Sequence, residues 1–232
     1  MIYQHGELHF MKKKSDGVEG ITPRNFEQEA LLETLLDEDI RIVGALGRAG
    51  TGKTLLSLAA GLRLVSKGDY HNVTVIRPTT VSGEDVGYLP GDIGDKIGPH
   101  FGAIEDVLLC ILGDAAKDEA VNGGEVDYLT ITHIRGRTLT NSFVIVDDAQ
   151  NLRDSDLKLI GTRIGTGSKL VLAGDPFQSD LPEISDERDI ALTKAVDRQR
   201  RITDSRKRDV FNYVLLKDVE RGLIAEIFSE IF

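Results

Sequence analysis

The octapeptide "GRAGTGKT", Gly47 to Thr54, constrains this chain more than any other stretch. It satisfies the spacing G-x-x-x-x-G-K-[S/T] and lies between the apolar run "RIVGAL" (41–46) and "KTLLSLAAGLRLV", a helical pattern. Glycines let the backbone curl so that successive N–H groups point inward, and a helix starting at the end of the loop adds its positive dipole end. Strand, loop and helix in succession predict a cradle for the phosphates of a nucleotide. Gly47, Ala49, Gly50, Thr51 and Gly52 supply the loop, Lys53 reaches the β- and γ-phosphates, and the Thr54 hydroxyl holds Mg2+. The alternative is a glycine-rich turn with an incidental lysine.

Strand-like and helical runs alternate along the rest of the chain. "NVTVIR" (72–77), "DYLTI" (127–131), "FVIV" (143–146), "KLVLA" (169–173) and "NYVLL" (212–216) read as strands. Between them lie helical patterns from Lys53 to about Ser66, around 93–112 and near 155–164, and a terminal helix is expected from about Asp218. This order predicts an α/β fold of the P-loop NTPase type, a mostly parallel sheet with helices on both faces. One domain over 21–232 accommodates it, with 1–20 as a tether. "RPTTVSGEDVGYLPGD" (77–92) is too long for a simple connection and is expected to be functional.

The second motif is "NSFVIVDDAQN" (141–151), a doubly buried strand that ends in two carboxylates instead of a turn. If "FVIV" lies beside "RIVGAL", Asp147 is placed to hold Mg2+ and Asp148 to face the attacking water as general base. Capping of the following helix is the alternative for both. "LAGDPFQSDLP" (172–182) repeats the arrangement, and Gln178 is expected to meet the γ-phosphate or orient water unless the turn is only a turn. In "TPRNFEQ", Asn25 and Gln28 have the spacing of a capping box, or Gln28 reads the adenine edge. Spacing leaves these two even.

Charge and composition narrow the partners. A net charge of −10 rules out a globally basic nucleic-acid coat, so any polyanion must be met locally. "KAVDRQRRITDSRKR" (194–208) is the local candidate, read either as a solvated helix face and loop or as a backbone-contacting patch. No apolar run reaches the length of about 18 residues that a membrane helix needs, and no secretory core is present. A single cysteine, Cys110, fits a reducing compartment, so a cytoplasmic protein is expected. His5, His9, His71, His100 and His133 are scattered and suggest surface or loop positions rather than a metal centre.

Five stretches taken together, "TPRNFEQ", "GRAGTGKT", "VIRPTTVSGEDVGYLPGD", "IRGRTLTNSFVIVDDAQNL" and "TRIGTGSKLVLAGDPFQSDLP", resemble the PhoH family of P-loop ATPases, in particular its compact single-domain members. The resemblance covers roughly residues 20–182 and more loosely "YVLLKDVERGLIAEIF". It implies a RecA-like ATPase core of the superfamily-one helicase type and a link to RNA metabolism. Residue by residue it puts Gln28 at the adenine, Gly50, Gly52, Lys53 and Thr54 at phosphate and Mg2+, Asp147 at Mg2+ and Gln178 at the γ-phosphate. The family usually has Asp-Glu-Ala-Gln where this chain has Asp147-Asp148-Ala149-Gln150. The shorter side chain retreats by about 1.5 Å, and a misplacement of about 1 Å costs about a hundredfold in rate. Slow turnover is therefore expected.

A superfamily-one helicase closes its ATP between two lobes, and this chain has room for one. An arginine finger is worth ~10³–10⁵ in rate, so the expectation is a homo-oligomeric ring, hexameric by family analogy, with the finger supplied by a neighbour. Arg163 and Arg221 are the candidates, with Arg137 behind them; each is otherwise a surface or helix-end cation. The loop from Arg77-Pro78, with Tyr88 as its aromatic, and "IRGRT" around Arg135 are expected to grip single-stranded RNA or DNA, or else to pair with nearby acids. Two other classes stay open: a nucleotide-dependent binding or regulatory module with little turnover, and a small-molecule kinase.

Overall fold

The computed structural model describes residues 2–4, 7–9, 17–78, 93–182, 184 and 186–220, with 2–4, 7–9 and 93–100 described by their backbone alone. Two short strands, β1 (Ile2–Gln4) and β2 (Glu7–His9), form an antiparallel pair of their own. Val18 exchanges backbone hydrogen bonds with Ile21 and is buried in the core, so the packed body begins inside the segment expected as a tether.

The body alternates as its sequence does: α1 (Phe26–Leu36), β3 (Ile42–Gly47), α2 (Lys53–Ser66), β4 (Asn72–Arg77), α3 (Ile93–Leu112), α4 (Asp114–Asn122), β5 (Val126–Thr130), β6 (Ser142–Val146), α5 (Asp154–Gly161), β7 (Lys169–Gly174), α6 (Ala191–Arg200), α7 (Ser205–Arg208) and β8 (Phe211–Leu216). The six strands from β3 onward form one sheet in the order β5-β4-β6-β7-β3-β8, and every pairing is parallel. Side chains alternate between its faces. Val43, Ala45, Val73, Val75, Phe143, Ile145, Val171 and Ala173 pack with α1 to α4, whereas Leu46, Ile76, Val144, Val146, Leu170 and Leu172 pack with α5 and α6. The strand runs are apolar throughout because both faces are covered.

Strand order corrects one expectation. β6 does not lie beside β3, because β7 is inserted between them. The connection is made instead by α2, which leaves β3 and crosses this face as far as β4. Gly61 permits the close approach: a Cβ there would stand 2.8 Å from Phe143 and 2.9 Å from Val73. A helix anticipated from Asp218 is not found over Lys217 to Glu220, and residues 221–232 lie outside the described ones.

At the opposite end of the sheet, Lys169 opens β7 and is almost wholly buried. Its ammonium donates to the Leu35 and Asp37 carbonyls, 2.6 Å each, so it closes the carboxyl end of α1 with a cation where the dipole favours one. Burial pulls its pKa down to about 8.

Candidate functional site

In a parallel sheet, all strands end at one edge, and the loops there gather into one surface. A cleft of about 820 Å³ occupies this edge and is lined by the phosphate loop, Gln28, Asp147, Asp148 and Gln178. The candidate residues from four separate stretches of sequence are thus brought together. Arg163 and Arg137 are not among its lining residues, and Arg221 lies outside the described residues.

The loop folds as its sequence requires. Gly52 has φ +95°, a conformation side chains rarely adopt, and a Cβ there would also meet the Gln28 amide nitrogen at 3.0 Å. Lys53 turns back to donate to the carbonyls of Gly47 (2.6 Å) and Arg48 (2.7 Å), holding the loop around its own ammonium. Thr54, the second residue of α2, donates its hydroxyl to Asp147 Oδ1 at 2.7 Å. Alternation along β6 explains this contact: Phe143 and Ile145 face α2, and Asp147 continues the same side.

Asp147 is buried, and its pKa is raised, first by that burial and then by the neighbouring Asp148. The Thr54 hydrogen bond, Arg77 and Lys53 act in the opposite direction. Two oxygens already within hydrogen-bond distance, one carboxylate and one hydroxyl, fit Mg2+, which takes one or two protein oxygens beside phosphate and water. Asp148 is half-buried and sits in the left-handed region at φ 52°. Neither aspartate accepts a side-chain capping bond from the 3-10 turn that follows at Ala149–Asn151.

Gln28 resolves into a bridge. Its backbone N–H donates to the Asn25 side chain, which caps α1. Its amide accepts from Arg24 N–H at 2.9 Å and donates to the Thr51 carbonyl at 3.0 Å, so it is fastened to the phosphate loop. Gln178 is exposed in the loop after β7. There Asp175 accepts from Phe177 N–H, and Gln150 accepts from Asp175 N–H.

Arg77, which the sequence offers either as part of a nucleic-acid grip or as a partner of nearby acids, turns its guanidinium into the cleft and pairs with Asp148, the second of these; Tyr88 and the rest of that loop to Asp92 lie outside the described residues. The register of β4 on β6 was the missing signal. Glu220, beyond β8, donates its backbone N–H to the Gly50 carbonyl at 3.0 Å, while its carboxylate accepts from Asn25 at 3.0 Å. Nothing in its local pattern marks it.

Arg163 and the basic run belong elsewhere. Arg163 lies between α5 and β7, where its carbonyl accepts from Leu139 N–H ahead of β6, at the amino edge of the sheet. Its Nε is buried without a hydrogen-bond partner. Arg137 approaches Asp127 at 3.8 Å. In the basic run, Lys194 and Arg198 pair with Asp154, Arg206 with Asp204 and Arg208 with Asp209, while Arg200 lies over the Tyr213 ring. That fits a helix face and loop with local acid partners.

A family model described as "PhoH-like protein" matches residues 20–231. The chain is 38% identical over 213 residues to Protein PhoH2 of Mycolicibacterium smegmatis, covering 91% of this chain and 47% of that protein. It is 46% identical over 169 residues to Protein PhoH2 of Bacillus subtilis, covering 70% and 38%. The chain therefore spans less than half the length of these relatives. Among solved structures, the Sulfolobus solfataricus SWI2/SNF2 ATPase core in complex with dsDNA superposes with a TM-score of 0.49 at 11% identity, covering 88% of this chain and 47% of that one. The Pif1 helicase of Candida albicans gives 0.44 at 17% identity, covering 91% and 43%. Among the described residues, no helix is long and apolar enough to cross a membrane.

Proposed function

The chain belongs to the PhoH-like protein family, and from that premise we propose that it is a slow Mg2+-dependent ATPase whose turnover is linked to single-stranded nucleic acid. One observation carries the reading: Thr54 and Asp147 share a 2.7 Å hydrogen bond in the cleft that also holds Lys53, Asp148 and Gln178. Thr54 and Asp147 would hold Mg2+, which supplies charge neutralisation to the β- and γ-phosphates. The loop N–H groups and Lys53 bind the same phosphates, and Asp148 takes a proton from the attacking water. Gln178, which lines the same cleft, orients that water. An amide has two donors and two lone pairs, so Gln28 keeps one of each for the adenine edge while it holds the loop. In this reading residues 21–232, with Val18 packed into their core, act as one ATPase domain, and the chain ahead of Val18 is its tether.

A finger for the γ-phosphate has to come from another subunit. Arg163 is at the edge of the sheet remote from its own cleft, which suits a head-to-tail ring in which the amino edge of one protomer meets the carboxyl edge of the next. Arg221 follows Glu220, which is fastened to the phosphate loop, and is the second candidate. Steady-state hydrolysis with and without single-stranded RNA or DNA tests the enzyme reading, and sedimentation with and without ATP tests the ring. Stimulated turnover in an oligomer is expected; an active monomer at every concentration contradicts the ring. A regulatory module with little turnover is the second reading, favoured by the short Asp148 and its pairing with Arg77. Tight ATP binding without hydrolysis would establish it.

A further inference from the structure

We propose that Arg77 is a positioning residue for hydrolysis, acting through Asp148 by anchoring one carboxylate oxygen and leaving the other to the water. The inference rests on the ATPase reading above. It begins with the end of β4. Pro78 has no N–H and keeps the residue before it extended, so the strand stops with Arg77 still in the ladder. β4 lies against β6 with Ile76 opposite Val146, and Asp147 N–H donates to the Ile76 carbonyl at 2.9 Å. Arg77 and the two aspartates therefore leave neighbouring strands at the same level.

The contacts are unequal in an informative way. Arg77 Nε donates to Asp148 Oδ2 at 3.1 Å, and Nη2 pairs with that same oxygen. Nε also lies 3.6 Å from Asp147 Oδ2. Among the described residues, Asp148 Oδ1 receives a single long contact, 3.4 Å from the Gln150 amide. A guanidinium that locked the acid would grip both oxygens with its two parallel donors. Here both donors fall on one oxygen, and the second is left with accepting capacity. A general base needs such an open lone pair in a fixed direction. The left-handed backbone at Asp148 sets where the side chain departs, and Arg77 sets where it points.

This arrangement also gives Arg77 a duty that differs from gripping a phosphate backbone. Its charge already faces two carboxylates.

The test is a double-mutant cycle on turnover with Arg77→Met, Asp148→Asn and the pair, together with Arg77→Lys, nucleotide affinity and thermal unfolding. In the Asp148 background, Arg77→Met should lower kcat roughly 10- to 100-fold, the range for a misplacement of about 1 Å, with KM and nucleotide affinity within about twofold of wild type. Arg77→Lys keeps the charge without the fork and should lose less. In the Asp148→Asn background, Arg77→Met should change the residual rate by less than about twofold. An unchanged or raised kcat in Arg77→Met overturns the proposal, as does an equal loss in both backgrounds or a rise in KM alone. If Arg77→Met does not fold, the Arg77→Lys cycle decides by the same criteria. Wild-type turnover no greater than that of Lys53→Ala overturns the ATPase reading instead, and this inference with it.

Discussion

Asp147 and Lys169 are two buried charges on the same face of the sheet, at opposite edges, and they are treated differently. Lys169 is surrounded by what a cation wants: two carbonyls at 2.6 Å at the end of a helix. Asp147 has one short hydrogen bond, from Thr54, the Arg77 guanidinium at 3.6 Å and a second carboxylate beside it. Burial raises the pKa of the acid and lowers that of the lysine, so both are held against their desolvation. The fold gives the lysine two short acceptors and the acid one short donor. The difference separates a charge that holds the structure from one that is kept for a ligand.

Substitution sharpens the contrast most at Asp147. Asp147→Asn should lower ATP turnover by at least about a hundredfold, the cost of losing one well-aimed electrostatic contact. Because a neutral amide removes a buried like-charge repulsion, the melting temperature should stay or rise. A variant that unfolds while its folded fraction hydrolyses normally would make Asp147 structural and break the comparison. Lys169→Met should behave in the opposite sense. It leaves two carbonyls without their donor and should cost about 2 kcal/mol of stability, within the range for unsatisfied buried groups, while kcat per folded molecule is unchanged. Chemical denaturation and turnover on the same preparation check both.

The pH dependence gives a smaller effect with a defined sign. Lys169 has a folded pKa of about 8 against an ordinary 10.5, so between these values the unfolded chain binds the extra proton. Its contribution to stability is present above the unfolded value and is lost as pH falls through the folded one. The wild-type minus Lys169→Met stability difference should therefore rise from pH 8 towards pH 10, and a flat difference would show that the ammonium is not desolvated. The smallest change is expected from Asp148→Glu, which should leave kcat unchanged or raise it. A marked loss would remove Asp148 from the role of base.

Much of this was legible because it is local. The phosphate loop declares itself by glycine spacing between a strand and a helix, and β6 by an apolar run ending in two acids. The patterns put Asp147 with Thr54 only on the condition that β6 adjoins β3; the two side chains meet although β7 lies between those strands. Strand order was not legible, since periodicity records which residues are buried and not which strands adjoin; β7 between β3 and β6 had no signal. Arg77 meets Asp148 only through the register of β4 on β6, 71 residues apart in sequence. Glu220 meets Gly50 for a similar reason, because β8 lies beside β3 and delivers the chain that follows it onto the loop. Lys169, at the head of an apolar strand, reads as an ordinary strand-end charge until α1 is seen to end above it.

Titration of a fluorescent ATP analogue into wild type and Lys53→Ala, each with Mg2+ and with EDTA, most directly asks whether loop, lysine and carboxylate meet around one metal-bound triphosphate. Expected is tight binding by wild type with Mg2+, weakened at least about tenfold by EDTA or by the substitution, which is roughly 1.4 kcal/mol. Equal affinity under all four conditions would contradict it.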